Sequence, residues 1–316
     1  MSHNPEIEKR INSLEEKYKA QNQEVVPYLD GLLYSKTINY WDYVQVDTLL
    51  TLQKTYTDFP DEAIFLMYHQ ITELYFKLAL NEFEQLGALE KPNGDFFYKR
   101  VTRINRYFEA LTKSFEIMVD GMEKDQFLKF RMALHPASGF QSAQYRKIEM
   151  SSTDFIQLVH KDIRDTFNGN EPIERLFEHI YWKEGATDNA TGKKTLTLIE
   201  FEKKYKREFI QFGEEQRKTN LWQTYLRLSE EDQKRTDIIQ AMKQNDVNVN
   251  VNWPLVHYKS AVRYLQKDDM DVAATGGTNW QKYLPPRFQK RIFYPKLWTN
   301  EEKELWGKAW VESVFV

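Results

Sequence analysis

The amino-acid sequence predicts an all-α fold, on three observations. Glycine and proline are scarce, 12 and 10 in 316 residues, so turns are few and helices long. Apolar residues recur at spacings of three and four over most of the chain, the period of an amphipathic helix. No stretch of useful length alternates apolar with polar residues, which is the mark of a half-buried strand.

Taken in order, Ile7, Ile11, Leu14 and Tyr18 share one face of an N-terminal helix over residues 5–25, with Glu and Lys at the positions between. A turn-rich stretch runs to Asn39, and helical spacing returns from Tyr40 to Thr55 through Tyr43, Leu49, Leu50 and Gln53. Pro60 and Asp61 announce a helix start. The segment from Glu62 to Leu86 is the most apolar of the chain. Phe65, His69, Thr72, Phe76, Ala79 and Phe83 fall on one face, and Ile64, Met67, Ile71, Leu74 and Leu78 on a second. A helix apolar nearly all round is expected to be buried among others.

Val101, Ile104, Phe108, Leu111, Phe115 and Met118 define the next helix, from Tyr98 to Val119, which Gly121 is expected to end. A shorter one runs from Lys124 to Leu134, followed at Pro136 by Ala137-Ser138-Gly139-Phe140-Gln141-Ser142, a loop whose backbone can pass close to a partner. Helical pattern resumes at Tyr145 and again over Asp154–Phe167. Lys183–Lys194 reads as a surface loop, and residues 195–246 as charged helical material leaving the core. Pro254 suits the first turn of a helix that carries His257, Ala261, Tyr264 and Leu265 on one face. Thr275-Gly276-Gly277-Thr278 forms a further loop, and a last helix is expected from Asn300 to Ser313. The expected organisation is a single domain over 1–316, with an N-terminal helical segment at 1–39 and a charged loop and helical excursion at 183–250.

Composition narrows the chemistry. With 41% hydrophobic and 29% charged residues the chain can build a core and is not a disordered one. Its formal net charge is −3, so nothing in the overall charge attracts nucleic acid or anionic lipid. There is no cysteine, which removes disulfides, iron–sulfur clusters, thiolate-ligated haem and cysteine nucleophiles. No signal peptide or membrane span is legible, so the cytoplasm is the expected location.

Of the six histidines, only His69 and His257 lie on the apolar face of a strongly patterned helix. A histidine in such a place is more often a hydrogen-bonded core residue than a ligand. A di-iron bundle needs Glu-x-x-His on two helices, and no histidine here has Glu three residues before it. His69 and Glu73 could ligate a metal together, but Glu73 belongs to a polar strip with Lys77. Neither glycine loop matches a nucleophile elbow, a P-loop or a dinucleotide fingerprint. Haem needs only one neutral imidazole on the iron, and periodicity alone leaves haem ligand and core packing both open.

Four colinear segments carry a resemblance. His69-Gln70-Ile71-Thr72-Glu73-Leu74-Tyr75-Phe76-Lys77 resembles the His-Gln-x-x-Glu-Leu-Trp-Phe-Lys helix of the tryptophan 2,3-dioxygenases. Tyr40-Trp41-Asp42-Tyr43-Val44 is similar to that family's Tyr-x-x-Tyr-Leu motif. Phe130-Arg131, then Pro136 to Ser142, then Gln144-Tyr145-Arg146 with Ile148-Glu149, look like its central signature. His257 followed by Thr275-Gly276-Gly277 resembles its haem-ligand helix and substrate loop.

The resemblance implies an all-α enzyme with haem b that inserts both atoms of O₂ across the indole C2–C3 bond of L-tryptophan. The product would be N-formyl-L-kynurenine, the first step of tryptophan degradation by the kynurenine pathway. It also implies a homotetramer, a dimer of dimers, in which each N-terminal helix is exchanged with a neighbouring subunit. His257 would be the proximal iron ligand, and His69 would accept a hydrogen bond from the indole N–H. Phe65 would pack on the indole, and Arg131 would clamp the substrate carboxylate. Thr275 would bond the amino-acid end, with Gly276 and Gly277 letting the loop close. Ser138 and Tyr145 would lie beside the haem, and Tyr40, Tyr43 and Val44 would line the neighbour's site. Phe127 stands where some relatives have Tyr, while Tyr75 and Val44 replace a usual Trp and Leu.

Overall fold

The computed structural model describes residues 4–188, 191–265 and 285–307. Among these residues the fold is all-α. There is no strand, only isolated bridges such as Val159 with Ile180. By internal contacts the chain divides into two units, residues 1–53 and 54–316.

The first unit contains α1 (Pro5–Lys19), α2 (Val26–Tyr34), α3 (Tyr40–Val44) and α4 (Val46–Leu49). Asn4 caps α1 by accepting from the Glu6 N–H at 3.0 Å. The single helix expected over 40–55 is two short ones. Gln45 takes a left-handed φ of 56°, which ends α3 and starts α4. The unit is poor in core: Leu33, Tyr34, Tyr40 and Tyr43 are all exposed.

The second unit is built round α5 (Asp61–Gly87), which packs along α6 (Gly94–Ser114), α7 (Glu116–Asp120), α8 (Lys124–Ala133) and α9 (Ala143–Ser152). Its inner face is Tyr68, Thr72, Phe76, Ala79, Phe83 and Leu86. Along the second apolar face Met67, Ile71, Leu74 and Leu78 are exposed among the described residues. The all-round burial expected of this helix is thus half realised there. Asn93 caps α6, whose Phe97, Val101, Ile104, Phe108 and Leu111 are fully buried. Gly121 ends α7 as expected. The helix expected over 154–167 is a 3₁₀ turn at Phe155–Leu158 and a short α10 (Lys161–Arg164), interrupted by the Val159 bridge.

α11 (Ile173–Phe177) and α12 (Tyr181–Gly185) follow, then α13 (Leu196–Gln216), α14 (Leu221–Leu226), α15 (Glu230–Gln233) and α16 (Thr236–Val247). The expectation of a charged excursion at 183–250 is corrected here. Leu198, Phe201, Phe209, Ile238 and Met242 belong to the main core, and α16 packs on α6. The charges occupy outward positions of amphipathic helices whose apolar faces are inside.

α16 runs through one π-helical turn, Asn248–Asn252, into α17 (Trp253–Leu265). Pro254 therefore sits in the first turn of α17, as expected from sequence, but that turn continues the π-helical one rather than opening after a loop. A proline in a helix lacks the N–H and clashes with the carbonyl four residues back; a wider turn relieves that clash. Beyond α17, short helices at Pro286–Gln289 and Asn300–Glu304 are described, the latter with a capping box from Thr299 and Glu302. The expected last helix reaches only Glu304 before turning; its remainder lies outside the described residues.

Candidate active site

In the second unit, α5, α9, α17 and the loop after Pro136 enclose a cavity of about 350 Å³. Its walls are rich in aromatic rings. Phe65 and His69 enter from α5, Phe127 from α8, Tyr145 from α9, and Trp253 and His257 from α17. Phe115, at the junction of α6 and α7, lies with its ring centre 4.4 Å from that of His257. The Phe65 and His69 rings are 4.3 Å apart, as two residues four apart on one helical face should be.

Both imidazoles are fixed in the same way. Nδ1–H of His257 donates to the Trp253 carbonyl at 2.8 Å, and Nδ1–H of His69 to the Phe65 carbonyl at 2.7 Å. A carbonyl can only accept, so in each case Nδ1 carries the proton and Nε2 keeps its lone pair. Burial pushes the His257 imidazole down to about 4, with a further small repulsion from His69. Burial also lowers His69, against the opposing pull of its Phe65 bond and of Glu73. Both rings are therefore neutral near pH 7, and each offers one nitrogen as a base or ligand. Sequence reasoning could not name the acceptor behind His257; it is backbone, one turn upstream.

The loop from Ser138 to Ser142 closes over His69. A Cβ placed on Gly139 would lie 3.5 Å from the His69 Nε2, so the absent side chain leaves that nitrogen uncovered. Ser138 caps the 3₁₀ turn, accepting from the Phe140 N–H at 3.3 Å. Gln141 reaches across to the Thr197 carbonyl at 3.0 Å, and the Thr197 hydroxyl donates to the Pro136 carbonyl at 3.1 Å. The supposed excursion thus anchors the loop. Glu73, read from sequence as a partner of Lys77 or a second metal ligand, instead accepts from Gln144 Nε2 at 2.7 Å and ties α5 to α9.

Of the residues singled out in the sequence, the structure brings Phe65, His69, Phe127, Ser138, Tyr145 and His257 to this one cavity. Arg131 is buried on α8, one turn past Phe127, and its guanidinium is destabilised by desolvation, but it is not among the cavity-lining residues. Tyr40, Tyr43 and Val44 belong to the first unit and are exposed. Thr275 and Gly276 lie outside the described residues.

Sequence reasoning missed one group on the cavity wall. Arg146 and Glu149 on α9, Tyr181 on α12 and Arg291 form a buried polar cluster, and Arg146, Tyr181 and Arg291 line the cavity. The Arg146 and Glu149 side chains are legible as an i, i+3 pair, whereas Arg291 arrives from a distant part of the chain and has no local signal.

The donor set fits haem. Among the described residues no three of His, Cys, Asp and Glu come together as a metal cage. One neutral imidazole in an aromatic, mostly apolar cavity is what haem iron asks of its protein.

A family model described as tryptophan 2,3-dioxygenase matches residues 31–250, well over half of the chain. The chain belongs to the tryptophan 2,3-dioxygenase family. It is similar to the tryptophan 2,3-dioxygenase of Ruegeria pomeroyi, 38% identical over 118 residues, covering 37% of this chain and 42% of the relative. The corresponding protein of Sorangium cellulosum is 40% identical over 127 residues, covering 37% of this chain and 31% of the relative. That of Bacillus cereus is 32% identical over 117 residues, covering 37% of this chain and 42% of the relative. The chain thus spans under half the length of these relatives. The dioxygenase family match includes the helices that carry Phe65, His69, Arg131 and Tyr145, and ends before His257.

Proposed function

We propose that this protein is a haem-dependent tryptophan 2,3-dioxygenase that converts L-tryptophan and O₂ to N-formyl-L-kynurenine. The observation that carries the reading is the pair of neutral imidazoles, His69 on α5 and His257 on α17, lining one aromatic cavity with Nδ1 tied to backbone and Nε2 left over. Family membership supports it.

In this reading His257 holds the iron through Nε2, and its bond to the Trp253 carbonyl sets the ring orientation and strengthens the nitrogen as a ligand. Haem supplies the binding and activation of O₂, which a closed-shell indole cannot achieve by itself. His69 accepts the indole N–H at Nε2 and so fixes which edge of the ring faces the oxygen. Phe65, one turn before it, packs on the indole face, and the aromatic walls with Phe127 exclude water. Arg131 presents a permanently charged planar fork to the substrate carboxylate, which requires its side chain to turn toward the cavity when substrate is bound. Thr275 and Gly276 complete the amino-acid end of the site, and Ser138 and Tyr145 border the cofactor.

We further infer a homotetramer in which the N-terminal segment, through Tyr40, Tyr43 and Val44, reaches a neighbouring subunit's site. The exposed apolar residues of the first unit, and the exposed stripe Met67, Ile71, Leu74 and Leu78 on α5, support it. On this view each subunit is one functional domain. The deciding experiment is anaerobic reduction of haem-loaded protein, addition of L-tryptophan and ¹⁸O-labelled O₂, and product mass. N-formyl-L-kynurenine carrying both labelled atoms is expected; haem-loaded ferrous protein that forms none would refute the assignment.

A further inference from the structure

The buried cluster beside the cavity has an uneven charge. Arg146 is 6% exposed, Glu149 1% and Arg291 5%. Glu149 accepts from Arg146 Nη1 at 3.0 Å through one oxygen, and from Arg291 and the Tyr181 hydroxyl through the other. Tyr181 also accepts from Arg146 Nη1 at 2.9 Å and from Arg291. Burial holds the Tyr181 hydroxyl well above its ordinary range, so it stays neutral. Among the described residues two guanidinium charges thus face one carboxylate, an excess of one positive charge.

A buried unmatched charge costs several kcal/mol in general, and native structures seldom leave one without a counter-ion. No protein group supplies it among the described residues of this wall. The acid that lines the cavity, Glu73, is engaged by Gln144 and bonds neither arginine. The guanidinium faces are covered by rings: Arg146 lies 5.2 Å from the centre of Phe140 and 5.3 Å from that of Trp182, and Arg291 lies 4.3 Å from that of Tyr181. Their edges are not used up. Nε of Arg146 and Nε of Arg291 are both buried without a hydrogen-bond partner among the described residues, and other parts of both side chains line the cavity.

We propose that Arg146 and Arg291 form a carboxylate-binding wall of the cavity, distinct from Arg131, that receives one carboxylate of a bound molecule. The inference rests on the haem and tryptophan reading for its two sources of that group, a porphyrin propionate and the substrate's α-carboxylate, the second taking the place assigned above to Arg131. Glu149 holds the two forks in register and leaves one charge over for the ligand.

The test compares carboxylate-bearing and carboxylate-free members of each pair. Haem-free protein is titrated with iron protoporphyrin IX and with its dimethyl ester, followed by the Soret band. Haem-loaded protein is titrated with L-tryptophan and with tryptamine, followed by the same band. Wild type is expected to favour the free acid about tenfold or more in at least one pair, as a charge-assisted bond between buried groups should. Arg291→Met should abolish that preference and Arg291→Lys should restore much of it. Loss in the porphyrin pair identifies a propionate as the occupant; loss in the tryptophan pair identifies the substrate.

Should Arg291→Met fail to fold by circular dichroism, Glu149→Gln is the second variant. It raises the charge excess, and a stronger preference for the free acid is expected. Preferences that stay at the wild-type value in a folded variant overturn the proposal and leave the dioxygenase reading standing. Protein that takes up neither porphyrin overturns both.

Discussion

Two backbone carbonyls, of Phe65 and Trp253, decide what His69 and His257 can do. Each lies four residues before its histidine on the same helix and receives Nδ1–H, so helix geometry by itself selects the tautomer that frees Nε2. Burial keeps both rings uncharged, so neither must lose a proton before it can accept a metal or an indole N–H. The two roles separate by mutation. His257→Ala should abolish stable haem uptake, read as loss of the Soret band. His69→Ala should retain haem while turnover falls about tenfold or more, the scale of one buried hydrogen bond to substrate. Haem content unchanged in the first, or turnover unchanged in the second, would remove the residue from its role.

The helix that carries His257 is held by a device at its own beginning. In the π-helical turn the Trp253 N–H bonds the Asn248 carbonyl, five residues back. The next carbonyl, Val249, would be served in that register by residue 254, but proline has no N–H. The Tyr145 hydroxyl donates to it instead, at 3.1 Å. Tyr145 thus connects α9 to the root of the His257 helix as well as lining the cavity. Tyr145→Phe should destabilise the protein by about 1–3 kcal/mol, the cost of a buried unsatisfied carbonyl, measured by denaturant unfolding. Adding Pro254→Ala, which restores an N–H, should recover part of that loss, so the pair should be non-additive.

Asp246, at the end of α16, pins the returning chain in the same manner. Its carboxylate accepts from the Phe293 N–H at 3.0 Å, the Tyr294 N–H at 3.1 Å and the Trp298 indole at 3.0 Å. Burial nevertheless pushes its pKa up from 3.8 to about 6. The folded state then binds more protons than the unfolded one between those two values, so this group adds stability as pH falls through the window and withdraws it as pH rises. Urea midpoints measured from pH 7 to 4 should show that component in wild type and lack it in Asp246→Asn.

For the whole molecule, the decisive surface is an apolar one left exposed among the described residues. Met67, Ile71, Leu74 and Leu78 run along one side of α5, with Leu74 54% exposed, directly behind the face that carries His69. An apolar stripe on the longest helix is costly in water and suits a contact between copies. Sedimentation should give a mass near four times 37.9 kDa. Leu74→Glu should lower it while changing chain stability by no more than about 0.5 kcal/mol, as expected for an exposed position. A tetramer that survives this substitution would exclude the stripe as an interface.

The sequence by itself determined the class, the long helices and the two histidines, because helical periodicity and local motifs are properties of residues a few positions apart. Phe65, His69 and the Gly139 loop were legible for that reason. It misjudged residues 195–246, because a high charge count does not say which way an amphipathic helix faces, and Thr197 in fact anchors the loop over His69. It placed Pro254 in the first turn of the His257 helix, as found, but gave no sign of the π-helical turn before it, whose Val249 carbonyl is met by Tyr145 from another helix. Arg131 was legible as a motif residue, yet that it is not among the cavity-lining residues is set by how α8 packs. The Arg146, Glu149, Tyr181 and Arg291 cluster was invisible, since its charge imbalance exists only once residues far apart in the chain are buried together. Local pattern fixes which side chains a helix presents; tertiary packing alone decides which of them meet and which charges are left unmatched.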